Sequence, residues 1–190
     1  MVTMSTTESW LPQSRPLTRA DLASTPDDGH RYELIDGVLV VTPAPRFAHQ
    51  EVVGNLYLLL RAACPAGTSV VLAPFAVVLA DDTEMQPDLL VARRADITER
   101  DLPQAPILAV EVASPSTRLF DLNVKKARFD EAGIEAYWVV DPGDDDTAPA
   151  LRAWERHEGA LHEIAEVRGD GVFTTQVPFP LDLVPARLRD

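Results

Sequence analysis

Cysteine is nearly absent from this chain. Cys64 is the only one in 190 residues, which excludes an intrachain disulfide and a cysteine-built zinc cluster and suits a reducing cytoplasm. Basic charge is scarce as well: 17 Lys plus Arg stand against 30 Asp plus Glu, a formal charge of −13. A surface of that sign does not attract nucleic acid over distance, although a locally basic groove is compatible with it. Long apolar runs are missing too. VVLAPFAVVLA, residues 70–80, is 11 residues long and holds a proline, whereas a spanning helix needs roughly 20 apolar residues, so no membrane role is expected. The opening MVTMSTTESWLPQSRP has no basic start followed by an apolar core and does not read as a secretory signal. There is no glycine-rich phosphate loop and no G-x-S-x-G turn, which argues against a nucleotide hydrolase and a serine hydrolase. His157 and His162 are five apart rather than the four of a zinc-protease helix, and a hairpin suits that segment better.

What is present supports one folded unit. At 46% hydrophobic residues the chain has material for a single sizeable core. Residues 1–30 are polar and carry Pro12, Pro16 and Pro26; they read as a loosely structured N-terminal arm with one short helix near 18–24. Residues 31–190 read as one domain. In RYELIDGVLVVTP, Asp36-Gly37 between apolar runs signals a two-residue hairpin. Residues 46–63 have helical spacing, ended by Pro65 and Gly67. Strand-like runs follow at 68–79, 88–92 and 107–113, then a helix at 120–132 stopped by Gly133, a strand at 136–142, an acidic loop, a hairpin turning at Glu158-Gly159, and a closing segment at 172–184. This order predicts an α/β fold, a mixed sheet with a buried centre and at least two packed helices.

Two residues sit oddly in that pattern. Glu111 interrupts ILAVEVA, a run expected to be covered on both faces, where an ionised carboxylate is costly unless paired or bound to a metal. Asp88 opens a second such run after Pro87, which cannot donate to a ladder and so suits a strand's start. Two carboxylates at the mouths of neighbouring buried strands call for a cation, and hard ions such as Mg²⁺ take oxygen ligands. Glu33 lies opposite Val40 in the first hairpin and shares a face with apolar residues, making it a third candidate.

Lysine is the rarest charged residue: of 17 basic residues only Lys125 and Lys126 are lysines. On a helix turning about 100° per residue, Lys125 falls within the stripe of Leu122, Phe129 and Ala132, while Lys126 falls on its margin. Asp121 stands four residues before Lys125, at the spacing of a helical ion pair. Lysine, unlike arginine, can lose its proton when desolvated, which suits it to proton transfer.

Residues 32–142 resemble the "putative restriction endonuclease" family of the PD-(D/E)XK nuclease superfamily. The likeness is carried by YELIDGVLV, the His49-Gln50 pair opening a helix, QPDLLV, and VEVASPSTRLFDLNVKKARFDEAGIEAYWVVDP. It implies a restriction-endonuclease-like mixed central β-sheet flanked by helices, with N-terminal and C-terminal hairpins, and Mg²⁺-dependent (or Mn²⁺-dependent) hydrolysis of DNA phosphodiester bonds. By this resemblance Asp88 matches the first half-motif and Glu111 the acid of the second, with the Val112 carbonyl as a further metal ligand. The lysine normally two residues after that acid is Ala113 here, and Lys125 takes its place, to orient or deprotonate the attacking water or offset charge. Glu33, His49 and Asp121 are additional site candidates; Arg93, Arg94, Arg118, Lys126 and Arg128 are candidates for phosphate contact. A homodimer would suit a double-strand cutter. The chain's acidity favours an alternative, a catalytically inactive nuclease-fold module that binds nucleic acid or a protein partner. The Asp88, Glu111 and Lys125 set favours the enzyme.

Overall fold

The structure, a computed structural model, describes residues 11, 12, 14–114 and 118–189. Residues 1–10 of the N-terminal segment and 115–117 of the SPST stretch lie outside the described residues. In chain order, α1 (Arg19–Leu22) precedes the hairpin β1 (Arg31–Ile35) and β2 (Val38–Thr42), then α2 (Phe47–Ala63). Strands β3 (Thr68–Leu72), β4 (Ala76–Ala80), β5 (Thr83–Met85), β6 (Leu89–Arg93), β7 (Asp101–Leu102) and β8 (Leu108–Val112) follow. A helical segment comes next: α3 (Arg118–Phe120), a π-helical turn (Asp121–Lys125) and α4 (Lys126–Glu131). The chain ends with β9 (Ala136–Asp141), β10 (Ala150–His157), β11 (Ala160–Arg168), β12 (Phe173–Thr175), β13 (Leu181–Leu183) and a 3₁₀ turn, Pro185–Arg189.

Both hairpin signals are realised by backbone geometry. Asp36 and Gly37 have φ of 52° and 73°, and Glu158 and Gly159 have 52° and 89°. Two successive positive φ values match the right-handed twist of the flanking strands. Glu33 lies opposite Val40, as the turn position requires.

The strands form a six-stranded sheet, β11-β10-β9-β8-β6-β3, a five-stranded sheet, β2-β1-β5-β4-β7, and a two-stranded C-terminal hairpin, β12-β13. In the larger sheet β8 and β9 are the parallel pair, joined by the α3–α4 crossover, and their neighbours are antiparallel. One mixed sheet flanked by helices is therefore present as expected, with a second sheet laid against it. The division arises inside residues 68–79, which read as one run. Pro74 interrupts it, since proline cannot donate to a ladder, so β3 pairs with β6 in one sheet and β4 with β5 in the other.

Alternation along the central strands feeds two cores. On one face Leu89, Val91, Leu108, Val110, Trp138 and Val140 meet Val52, Leu56 and Leu60 of α2 and Phe173 of the C-terminal hairpin. On the other, Leu90, Ala109, Ala113, Tyr137 and Val139 meet Phe129 of α4 and Ile35, Val77 and Met85 of the smaller sheet. Each fully buried large side chain contributes about 1.5–3 kcal/mol, so a strand covered on both faces anchors whatever it carries. The described part of the N-terminal segment is attached to this body: Leu17 is buried, its N–H donates to Gly37 O at 2.9 Å, and Arg19 pairs with Glu84 and Asp101 at 2.7 and 3.0 Å.

Candidate active site

All five residues of β8 are buried, Glu111 included. Because side chains alternate, Glu111 shares a face with Ala109 and Ala113, the face covered by the smaller sheet and α4. Leu89 pairs with Val110 across β6 and β8, so one step further the register sets Asp88 opposite Glu111 on that face. Asp88 is 4% exposed and Glu111 1%. The Val112 N–H donates to Asp88 Oδ2 at 2.8 Å. Just beyond β8, the Ala113 N–H donates to Val140 O of β9 at 2.7 Å. The Val112 amide, on the central strand, thus ties β8 to the Asp88 carboxylate.

Glu33 enters from β1 of the smaller sheet. It is fully buried, and its Oε1 accepts the Gln86 N–H at 2.7 Å. Lys125 enters from the π-helical turn, 3% exposed, with Nζ 2.9 Å from Glu33 Oε1, 3.1 Å from Glu111 Oε1 and 4.0 Å from Asp121 Oδ1. The Tyr137 hydroxyl, from β9, donates to the Asp121 carbonyl at 2.9 Å. A side-chain donor inserted into a helix ladder is a recognised cause of such a widened turn, and widened turns concentrate at functional sites. Asp121 and Lys125 both point inward from it and are buried.

Asp88 has two further partners: Arg31 Nη1 at 2.8 Å from Oδ1, and His49 Nε2, from the first turn of α2, at 3.2 Å from Oδ2. Burial alone would raise the Asp88 carboxyl, but the His49 hydrogen bond, the charges of Arg31 and His49 and the Val112 N–H hold it at about 2. Glu111 is different. Burial, reinforced by Asp121, Asp88 and Glu33, pushes its carboxyl well above the ordinary value against the pull of Lys125. Burial opposes the charge on Lys125, yet Glu111, Glu33 and Asp121 outweigh it and keep the ammonium protonated.

Thus Asp88, Glu111, Lys125, Glu33, His49, Asp121 and the Val112 backbone come together in one buried cluster. The proposed phosphate contacts separate. Arg93 lies at the opposite end of β6 from Asp88 and pairs with Glu135 at 3.3 Å, and Arg94 follows it. Lys126 lies 5.1 Å from the centre of the Trp154 ring. Arg128 binds Asp36 at the hairpin turn and Glu131 on its own helix. A five-residue strand separates its two ends by about 16 Å, too far for Arg93 or Arg94 to meet a phosphate at Asp88. Arg118 remains at the Glu111 end of the sheet, 3.2 Å from Asp141 at the close of β9.

A family model described as "Putative restriction endonuclease", named Uma2, matches residues 19–180. The chain belongs to the Uma2 family. Among solved structures, it is similar to "a putative nuclease belonging to DUF820" from Anabaena variabilis ATCC 29413, at TM-score 0.71 and 16% identity over 91% of this chain and 97% of that one. That likeness supports the shared fold. No curated protein matches the chain.

One residue of this Uma2 site was not anticipated: Arg31. Its signal lay in RYELIDG, where Arg31 and Glu33, two apart on a strand, share a face. As they stand, no three His, Cys, Asp or Glu side chains among the described residues are gathered for metal binding; the carboxylates are turned onto Arg31 and Lys125. The donor set nonetheless fits a hard divalent ion. Glu33 Oε2 is buried without a hydrogen bond, with Arg31 Nε 4.0 Å from it. Four carboxylates (Glu33, Asp88, Glu111 and Asp121) outnumber the two permanent cations among them, Arg31 and Lys125, with the titratable His49 also on Asp88. All the donors are oxygens, which suits Mg²⁺ or Mn²⁺.

Proposed function

We propose that the protein is a metal-dependent endonuclease that hydrolyses DNA phosphodiester bonds. The observation that carries this reading is the presence of four buried carboxylates, Asp88, Glu111, Glu33 and Asp121, in one cluster, with the Lys125 ammonium 3.1 Å from Glu111. A carboxylate-rich, all-oxygen donor set suits a hard divalent ion, and membership of a family described as "Putative restriction endonuclease" agrees with it. Asp88, Glu111 and the Val112 carbonyl would hold Mg²⁺, or Mn²⁺ in its place, with Glu33 Oε2 as a further oxygen. Such an ion supplies an activated water and offsets charge on the phosphate oxygens.

The chain's own groups divide the remaining work. His49 and the Val112 N–H fix the Asp88 carboxylate, so its orientation is set before substrate arrives. Lys125, protonated and held by Glu33 and Glu111, orients the attacking water and offsets developing negative charge. Service as a base would require it to shed a proton that three carboxylates retain. Arg118 is the one predicted arginine left near the cluster's end of the sheet to meet a phosphate. A net charge of −13 opposes long-range attraction of DNA, so the binding groove draws on local arginines or on a homodimer.

Incubation of the purified protein with supercoiled, linear and single-stranded DNA in Mg²⁺, Mn²⁺ and EDTA, beside Asp88→Asn and Lys125→Ala, tests the reading. Metal-dependent cutting abolished by both substitutions is expected. Cutting that survives both substitutions points to a contaminant; cutting that survives them and still co-purifies with the protein through a further column refutes the site. Binding without cutting under every condition establishes the inactive nuclease-fold module instead.

A further inference from the structure

Resting on the metal-site reading above, we infer that Arg31 is a displaceable counter-ion: it occupies Asp88 in the metal-free protein, yields that oxygen to a divalent cation, and passes to a phosphate of the nucleic acid. Four observations lead there. Both Asp88 oxygens are engaged: Oδ1 by Arg31 Nη1 at 2.8 Å, and Oδ2 by the Val112 N–H at 2.8 Å and His49 Nε2 at 3.2 Å. Among these partners the Val112 amide belongs to a central strand and cannot retreat. The carboxylates do not converge while Arg31 and Lys125 stand among them, yet Glu33 Oε2 is left buried and without a hydrogen bond beside Arg31.

The two cations are not equally free to leave. The Lys125 side chain is 4% exposed and bound to Glu33 and Glu111, whereas the Arg31 side chain is 21% exposed. Apart from the carboxylates, Arg31 is held by the Gln86 carbonyl at 3.0 Å. It also begins β1, where the chain enters from the exposed residues 27–30. Its long stem permits the head group to move outward without disturbing the strand. A guanidinium released at the mouth of the site is well shaped for bidentate contact with a phosphate. The same residue thus neutralises Asp88 when no metal is bound and becomes available when substrate and metal arrive together.

The sign of one measurement separates this role from simple scaffolding. A purely structural Arg31 would keep Asp88 in place, and its loss would weaken metal binding. A competing Arg31 predicts the reverse. Calorimetric titration of the full chain with MnCl₂ is expected to show Arg31→Gln binding roughly tenfold tighter than the wild type, since a like charge near the ion has gone. Arg31→Lys, which preserves the charge but not the guanidinium's reach to both Asp88 and the Gln86 carbonyl and guards against misfolding of the first variant, is expected to bind at least about twofold tighter. Binding of a short DNA duplex in Ca²⁺, an ion of equal charge and ligand taste, is expected to lose about one unit of salt dependence in Arg31→Gln. Unchanged or weaker Mn²⁺ binding in both variants, with Asp88→Asn abolishing it, overturns the counter-ion role and leaves the metal site standing. Mn²⁺ binding indifferent to Asp88→Asn overturns the metal site itself. Tighter Mn²⁺ binding with an unchanged salt slope overturns the transfer to phosphate.

Discussion

Glu111 is held in a state it resists, so removing its charge is expected to stabilise the metal-free protein while destroying the site. The side chain is 1% exposed and faces Asp88, Asp121 and Glu33, with Lys125 as its cationic contact at 3.1 Å. Its carboxyl is raised above the unfolded value, so its contribution to stability is present below the unfolded pKa and lost as pH rises through the folded one. At neutral pH the ionised form therefore weakens the fold. Glu111→Gln preserves the shape and an acceptor for Lys125 while deleting the charge. Removing one partner of a buried pair costs stability when it orphans the other charge. Here Lys125 keeps Glu33 at 2.9 Å, so relief of burial and repulsion is expected to raise Tm, by about 2–4 °C for each kcal/mol gained in a chain of this length. Thermal unfolding in EDTA at pH 7 measures it, and the gap between variant and wild type is expected to close as pH falls toward 4.5. In MnCl₂ the order is expected to invert, because only the wild type gains from binding. A Glu111→Gln protein less stable than wild type in EDTA at pH 7 would show that the Lys125 pairing outweighs burial and repulsion, and the argument from uncompensated charge would fail.

Asp88 behaves oppositely: held at about 2 against an ordinary 3.8, it stabilises the fold above pH 4 and loses that contribution as pH falls through its folded value. Unfolding free energies from urea titration of wild type and Asp88→Asn, from pH 7 to pH 2, are expected to differ by about 2 kcal/mol at neutral pH and to converge near pH 2. Lys125→Met leaves Glu33, Glu111 and Asp121 facing one another without their ammonium, at a cost of about 3–5 kcal/mol in EDTA, partly recovered in MnCl₂; no loss in denaturant titration would contradict the ion cluster. Tyr137→Phe strips the donor from the Asp121 carbonyl in the π-helical turn, and is expected to cost about 1–3 kcal/mol by the same titration.

Which parts of this were readable in the chain follows from how far each signal reaches. Turn chemistry is local: Asp36-Gly37 and Glu158-Gly159 adopt positive φ, and the register of both hairpins follows from the turn position. Periodicity is local too, so α2, β8, β9 and the inward direction of Lys125 were legible, and a charge inside an apolar run marked Glu111 and Asp88 as anomalous. The π-helical turn was not legible, and the carbonyl at its start accepts from the Tyr137 hydroxyl sixteen residues away, a partner no local pattern reveals. Nor was the division of residues 68–79 between two sheets, although Pro74 marked the place. The arginines show the limit most clearly. Sequence proximity to the motifs put Arg93 and Arg94 forward, but a strand carries its two ends apart, whereas Arg31, 57 residues before Asp88, bonds to it.

By itself the sequence determined the kinds of groups available, the faces on which they fall and the family to which the chain belongs. Tertiary structure alone decided which charges share a space. Alternation and helical phase are properties of neighbouring residues, while the balance of four carboxylates against two cations exists only where β1, β6, β8 and the α3–α4 crossover meet.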